Sequence, residues 1–312
     1  MTTFLSIVVP CFNEEAVIMG AYKQICEVIS KIPQISGGGA NLFFVDDGSG
    51  DATASILKTL AEQDSRVHYI VFSRNFGKEA ALLAGLRKAE GQYVVTLDAD
   101  LQDPPVLIPQ MLDAVVSGEF DCAATRRVTR KGEPPIRSFF ARRFYGIMAK
   151  FTDIEVVDGA RDFRLMSRAY VDAVLSLEER NRFSKGIFPW VGFRTKWFEY
   201  ENINRVAGET KWSFGKLFAY SLDGIIAFSS RPLAIASFFG VGIFLLSLIF
   251  IALIIIRRIS FGDPVDGWAS TACIILFCSG IQLFSIGVLG QYLAKVYTEV
   301  KQRPHYVVRE EK

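Results

Sequence analysis

Apolar residues are laid out along this chain in two regimes. Up to Thr125, short apolar runs alternate with amphipathic stretches. Phe4–Val9, Leu42–Val45, Val67–Phe72, Tyr93–Leu97 and Asp121–Thr125 are compact runs with the length and composition of strands. Between them the apolar spacing changes to three and four. Ile18, Tyr22, Ile25, Ile29 and Ile32 share one face of a helix predicted over 15–32. Residues 52–62 and 78–89 are rich in alanine and leucine, and Gly91 follows the second as a stop. Residues 105–117 repeat the helical pattern and end at Gly118. This alternation predicts an α/β domain with a mostly parallel sheet, helices on both faces, and ligands beyond the carboxyl ends of the strands.

After residue 230 the pattern becomes unbroken. Leu233–Ile256 carries no charge over 24 positions, where roughly 20 apolar residues span a bilayer core. Gly267–Ala294 is a second uncharged run, made more polar by Gln282 and Gln291. Together they predict a transmembrane hairpin with its turn at Arg257–Asp266. Lys211, Lys216 and Arg231 precede it, and Lys295, Lys301, Arg303 and Arg309 follow it, which places both ends in the cytoplasm. Arg257-Arg258 on the far side depart from that bias and would snorkel. Two more segments are basic and amphipathic. In Pro135–Phe151, Ile136, Phe140, Phe144, Ile147 and Phe151 alternate with Arg137, Arg142, Arg143 and Lys150. That pattern suits an anionic membrane surface, or a helix packed on the domain with a solvated charged face. Trp212–Phe228 is similar and runs into the first span. The predicted organisation is a catalytic domain over 1–210, a juxtamembrane helix over 211–231, the hairpin over 232–294 and a cytoplasmic tail over 295–312.

Composition narrows the function. Half of the 312 residues are hydrophobic and the net charge is +2, so no global basic signal points to nucleic acid. The five cysteines form no C-x-x-C pair, which argues against a disulfide framework or zinc site and for a reducing compartment. His68 and His305 are the only histidines, and His68 lies in an apolar run as a structural residue. The start "MTTFLSIVVPCFNEE" lacks the features of a signal peptide, so the first domain is expected to remain cytoplasmic.

The candidate chemistry lies at the strand ends. In "VVTLDADLQDP" an apolar run stops at Asp98, Asp100 and Asp103. Asp103 before Pro104-Pro105 fits a helix cap. A calcium loop is disfavoured, because the EF-hand spacing is missing. A D-x-D pair at a strand tip suits Mg²⁺ or Mn²⁺ shared with phosphate oxygens. The first strand ends "VVPCFNEE" and the second "VDDGSGDAT", where Asp46 and Asp47 precede Gly48 in a tight turn. Those carboxylates could accept from a base or a ribose, and Asp51 could equally cap the next helix.

"VVPCFNEE", "FVDDGSGDAT", "SRNFGKEAALLAGL", "TLDADLQDPP" and "DFRLMSR" resemble, in order, the blocks of family-2 glycosyltransferases. The likeness is in particular to the polyprenyl-phosphate group, which includes dolichol-phosphate mannose synthase and the bacterial bactoprenol glucosyltransferases. The hairpin and the ending "GQYLAKVYTEVKQRPHYVV" look like the bactoprenol enzymes. The resemblance implies a GT-A (Rossmann-like) nucleotide-sugar-binding domain plus two transmembrane helices. It implies that Asp98, Asp100 and Gln102 hold Mg²⁺ or Mn²⁺ on the nucleotide diphosphate. It implies that Pro10, Phe12, Glu14 and Asp46 contact the nucleoside, with Lys78 a further polar contact; Cys11-Phe12 stands where a tyrosine is frequent. Arg205 and Lys211 in "NRVAGETKWSF" resemble a mobile R-x-x-G-x-S-K loop, with Thr210 for the serine. They would face the diphosphate, or be ordinary solvated charges. Asp162 matches the acid assigned as base. It would take a proton, orient the acceptor, or pin its loop through Arg161 or Arg164; Asp158 is the competing acid. For the acceptor phosphate, Arg126 and Arg137 are favoured among Arg126, Arg127, Arg130 and Arg137, because the guanidinium fork matches phosphate.

The expected reaction is inverting transfer of a sugar, with UDP-glucose the favoured donor, to a polyprenyl phosphate at the cytoplasmic face of the membrane. A homo-oligomer is expected, with Gln282 and glycines available for packing of the second span. Two other readings are a processive polysaccharide synthase and a non-catalytic nucleotide-binding membrane protein. The missing Q-x-x-R-W motif and the two spans count against the first. The intact Asp98, Asp100, Gln102 and Asp162 count against the second.

Overall fold

A computed structural model describes residues 3–35, 39–100, 102–128, 157, 159–201, 226, 228–261 and 267–312. The first half alternates as its pattern predicts: β1 (Leu5–Cys11), α1 (Ile18–Ile29), β2 (Ala40–Asp46), α2 (Thr53–Gln63), β3 (Val67–Phe72), α3 (Lys78–Lys88), β4 (Tyr93–Thr96), α4 (Ile108–Val116) and β5 (Cys122–Arg127). Then come β6 (Ala160–Ser167), α5 (Arg168–Ser176), α6 (Ser184–Trp190) and β7 (Thr195–Tyr200). Two long helices, α7 (Arg231–Phe261) and α8 (Trp268–Lys301), precede a last strand, β8 (Val308–Glu311).

The eight strands form one sheet in the order β7-β5-β6-β4-β1-β2-β3-β8. Strand β1 pairs in parallel with β2 on one side and β4 on the other. Its residues are almost all buried, as an interior parallel strand covered on both faces requires. Ile7 and Val9 pack with Ile18 and Ile25 of α1, Leu57 of α2 and Met111 of α4 on one face. Val8 packs with Leu86 of α3, Tyr170 of α5 and Ile187 of α6 on the other. The chain crosses from β1 to β2 in one direction and reaches β4 in the other, so a crevice opens at the strand ends beside β1. The ladder between β1 and β4 stops at Val8 and Thr96. Two residues on, Pro10 has no N–H to continue it.

Two features depart from the predicted pattern. Strand β6 enters antiparallel between β4 and β5, so the sheet is mixed. The segment expected as a cytoplasmic tail is built into the fold. Helix α8 runs past Ala294 to Lys301 and ends where Gln302 adopts a left-handed φ of 47°, with Pro304 beyond it. The chain then returns as β8 and pairs antiparallel with β3. Tyr306 stacks on Phe72 with centroids 4.9 Å apart, and Tyr69 Oη donates to Glu310 Oε1 at 2.9 Å.

By length and composition, α7 and α8 each contain a stretch able to cross a membrane: Arg231–Phe250 with mean hydropathy 2.5 and Phe277–Lys301 with 1.3. Large apolar side chains such as Phe238, Phe239, Leu283 and Phe284 are more than half exposed on them, a surface that water does not favour. Segments 135–151 and 212–225, with the expected surface helices, lie outside the described residues.

Deleting residues 306–312 strips the edge of β3. The thermal unfolding midpoint of the full chain in detergent is expected to fall by several degrees, with greater aggregation from the uncovered edge. An unchanged midpoint would show that β8 is not part of the folded unit.

Candidate active site

The ends of β1 and β2 are stitched together by their own polar residues. Asn13, with φ of 54°, donates from its backbone to Ser49 Oγ at 2.8 Å, and its Oδ1 accepts from Gly50 N–H at 2.8 Å. Glu14 N–H donates to Thr53 Oγ1 at 2.9 Å. Asp51 accepts from both Thr53 N–H, at 3.0 Å, and Glu15 N–H, at 3.3 Å, so it ties the first residue of α2 to the β1 loop. Asp46 is fully buried and accepts from the backbone and hydroxyl of Ser49. Burial pushes its carboxyl up, with the Ser49 bonds acting against that. Asp47 has a different job: its two oxygens accept from Phe76 N–H at 2.6 Å and Gly77 N–H at 2.9 Å, which anchors the loop that starts α3. Gly48 lets that loop come close. At φ +69°, a Cβ on it would lie 2.4 Å from the Arg74 carbonyl carbon.

That anchored loop delivers Lys78 as the first residue of α3. A lysine there opposes the helix dipole, and two carboxylates account for its place. Lys78 Nζ lies 2.7 Å from Asp98 Oδ1 and 2.5 Å from Asp162 Oδ2. Asp98 leaves the tip of β4. Asp162 comes from the start of β6, and the antiparallel β4–β6 register, with Thr96 opposite Arg164, sets that start beside the β4 tip. Thr96 Oγ1 also donates to the Asp162 carbonyl. Burial pushes the Asp162 carboxyl up, but Lys78, with Lys185 and Arg161, outweighs it and holds Asp162 well below the usual carboxylate range. Burial pulls the Lys78 ammonium down, and Asp162 and Asp98 together hold it above its ordinary value. The lysine side chain keeps 44% of its surface exposed, so solvent moderates the energy of the trio.

A second ion pair lies behind the first. Asp103 is fully buried and is not a helix cap: neither the 3-10 turn at Pro105–Leu107 nor α4 has a side-chain cap. Its two oxygens instead take the Arg161 fork, Nε at 2.9 Å and Nη2 at 3.4 Å, and it accepts from Tyr200 Oη at the end of β7. The Arg161 guanidinium also stands 4.0 Å from Asp98. Thus Arg161 pairs with Asp103 and Lys78 with Asp162; in place of the alternative that paired Asp162 with Arg161 or Arg164, its ion-pair partner comes from α3. Asp100 Oδ1 accepts from the Gln102 backbone at 3.1 Å.

Among the described residues, no group of three or more His, Cys, Asp or Glu forms a metal cage. Mg²⁺ and Mn²⁺ sites that serve diphosphates need only one or two carboxylates, with substrate oxygens completing the shell. Asp98 and Asp100, hard donors at one strand tip, fit that chemistry.

Phe12 and Glu14 are half-buried on the β1 loop, beside half-buried Pro10. Arg126, at the end of β5, is bound by Glu199 of β7, with its Nε 2.9 Å from Oε1. Arg137, Arg205, Lys211, Arg130 and Asp158 lie outside the described residues. The sequence reading missed Tyr200 and Lys185, and named Arg161 only as a possible partner of Asp162 rather than of Asp103; these residues come from β7, α6 and β6, elements outside the repeating first-half pattern. Lys185 lines a cavity of about 300 Å³ together with Arg164, Trp197, Phe193 and Pro189. Arg164 is buried between Phe188 and Trp197, and its Nε has no hydrogen-bond partner among the described residues.

Removing Asp103 leaves a largely buried guanidinium without its carboxylate. Asp103→Ala is therefore expected to cost about 3 kcal/mol, read as a lower unfolding midpoint. A change under about 0.5 kcal/mol, the size of an ordinary surface substitution, would contradict a supporting role for this pair.

Residues 6–175 match the model of glycosyl transferase family 2. The chain is 41% identical over 308 residues to the uncharacterized glycosyltransferase sll0501 of a Synechocystis strain, covering 99% of this chain and 95% of that protein. It is 40% identical over 308 residues to the bactoprenol glucosyl transferase of Shigella phage SfV, covering 99% of each. It also overlaps the glucosyl-3-phosphoglycerate synthase of Mycobacterium tuberculosis solved with Mn²⁺, UDP-glucose and phosphoglyceric acid. That overlap has a TM-score of 0.45 at 20% identity, over 72% of this chain and 78% of that one, and the assignment does not rest on it. With strand-tip carboxylates in the matched blocks of a GT-A-like sheet and full-length likeness to such enzymes, the chain belongs to glycosyltransferase family 2.

Proposed function

We propose that this enzyme transfers a sugar, glucose from UDP-glucose, to a polyprenyl phosphate at the cytoplasmic face of the membrane, with inversion at the anomeric carbon. The observation that carries the reading is the meeting of Asp98 and Asp162 at the strand tips of a family-2 head that continues into two apolar helices. The relatives named bactoprenol glucosyl transferases support the same acceptor and sugar. In this reading α7 and α8 form a hairpin in the inner membrane, with the catalytic domain (1–210) and both termini cytoplasmic. The segment 211–231 lies along the surface, and the chain works as a homo-oligomer.

The donor's base and ribose would lie against Pro10, Phe12, Glu14 and Asp46, and its diphosphate beside Asp98. Asp98, Asp100 and Gln102 would hold Mg²⁺ or Mn²⁺, which supplies Lewis-acid neutralisation of the leaving diphosphate. Lys78, Arg205 and Lys211 add positive charge to the same region. An acceptor phosphate oxygen attacks the anomeric carbon as the bond to the diphosphate breaks, and that electron pair leaves with UDP. A phosphate monoester has its second pKa at about 6, so at neutral pH the attacking oxygen is mostly deprotonated. Asp162, kept ionised by Lys78, then orients the acceptor; it would take a remaining proton only where the Lys78 contact loosens and lets its pKa rise. Arg126 and Arg137 would bind the acceptor phosphate. Since Arg126 is already held by Glu199, the Lys185–Arg164 cavity offers a second contact, with aromatic walls for the first isoprene units and no carboxylate among its described lining residues.

Transfer of radiolabel from a panel of nucleotide sugars to undecaprenyl phosphate in detergent tests the proposal. Label should pass from UDP-glucose with Mg²⁺ or Mn²⁺, stop with EDTA, and fall at least about 100-fold in Asp100→Ala. Absence of lipid-linked label from every donor, in protein that still binds nucleotide, would overturn the proposed acceptor.

A further inference from the structure

A cavity of about 560 Å³ lies between the sheet domain and the end of α8. One wall is the segment 74–80, the second is the loop 180–183, and the third is the last turns of α8 with the turn toward β8. Six of the lining residues are cations: Arg74, Arg180, Arg182, Lys295, Lys301 and Arg303. The carboxylate among the lining residues, Glu79, is turned to Ser184, whose backbone N–H and hydroxyl both donate to it.

Several of these cations are positioned by side-chain hydrogen bonds to neutral oxygens, while the Glu299 carboxylate beside them accepts from the backbone N–H of Arg180 and Asn181. Arg74 donates to the Asn75 carbonyl at 2.9 Å, Arg180 to the Arg303 carbonyl, and Arg182 to the Leu177 and Val174 carbonyls. Lys295 reaches Asn181 Oδ1 at 3.4 Å, and Lys301 reaches Tyr297 Oη at 3.0 Å. The field they make is felt by His305 on the same wall. Burial, together with Arg180, Arg182 and Arg87, pushes its imidazole down to about 4. Six like charges around one cavity raise its potential and favour an anion of matching size. Guanidinium forks with ammonium groups make a phosphate-selective set. Lys295 and Lys301 extend the apolar stretch that ends at Lys301, the level at which lipid headgroups would lie beside the helix.

We propose that this cavity binds the phosphodiester of an anionic phospholipid headgroup, at a site apart from the donor and acceptor positions. The proposal rests on the membrane reading of α7 and α8. A bound headgroup would tie the loop 180–183 to α8 and back the segment that carries Lys78. Membrane composition would thereby reach the Lys78–Asp98–Asp162 contacts without a ligand entering the active site.

The test uses the full chain in neutral detergent, titrated with dioctanoyl phosphatidylglycerol, dioctanoyl phosphatidylcholine or inorganic phosphate. Bound lipid is counted by native mass spectrometry and the unfolding midpoint is followed. Phosphatidylglycerol should bind and raise the midpoint, and phosphatidylcholine should not. Lys301→Gln with Arg303→Gln should weaken phosphatidylglycerol about tenfold or more while UDP-glucose binding stays intact. Arg74→Gln, on the opposite wall, should act in the same direction. Equal binding of the two lipids, undiminished phosphatidylglycerol binding in both variants, or inorganic phosphate binding as tightly as the lipid would each overturn the headgroup assignment. The readout is lipid binding rather than turnover, so it stands apart from the donor and acceptor proposal. Flotation with liposomes checks membrane attachment separately.

Discussion

One ammonium group shared by two carboxylates organises this active site. Without Lys78, Asp98 and Asp162 would bring like charges to adjoining strand ends, and one of them would be driven toward protonation. With it, the ammonium offsets the paired charges, and Asp162 stays ionised. The rest of the site serves that contact. Asp47 holds the backbone of Phe76 and Gly77 so that α3 begins where Lys78 can reach. The β4–β6 register brings Asp162 to the tip of β4, and the Arg161–Asp103 fork fixes the loop between them.

The sequence exposed the first half of the sheet domain more fully than the second. Strands β1 to β5 and the helices between them follow simple periodicity, because each element buries one face in one repeating arrangement. The tip residues Asp46, Asp98 and Asp100 were legible because a carboxylate ending an apolar run has few reasons to be there. Asp103 shows the limit of that logic. Its spacing before Pro104-Pro105 reads as a cap, yet its partners, Arg161 and Tyr200, come from strands far along the chain. The role of Lys78 was hidden for the same reason: a lysine at a helix start looks solvated until β6 is known to run antiparallel beside β4. Short, half-exposed β7 and the Val308–Glu311 edge strand have no periodic signal of their own. Their pairing is decided by tertiary context.

The apolar helices are not a passive appendage. The chain leaves the second one through Lys301, turns at Gln302 and finishes as a strand of the catalytic sheet. Glu299 accepts from the backbone of both Arg180 and Asn181, binding the helix end to the loop before α6. The sheet is therefore connected to this helix at both its β8 edge and its α6 side. Such a double attachment fixes the orientation of the strand tips relative to the helix. The proposed acceptor, a lipid phosphate held in a bilayer, would need that fixed geometry.

The Lys78–Asp162 contact can be tested by following the Asp162 carboxyl through a pH titration of ¹³C-labelled protein in metal-free buffer, with Asp162→Asn used to assign its signal. A carboxyl held below its unfolded value contributes stability above that value and loses it only as pH falls through the folded one. Wild-type Asp162 should accordingly show no protonation from pH 8 down through the ordinary carboxylate range near 4. In Lys78→Met, burial should carry its midpoint upward into or above that range. An Asp162 that titrates at the ordinary value in both proteins would contradict the central role assigned to Lys78.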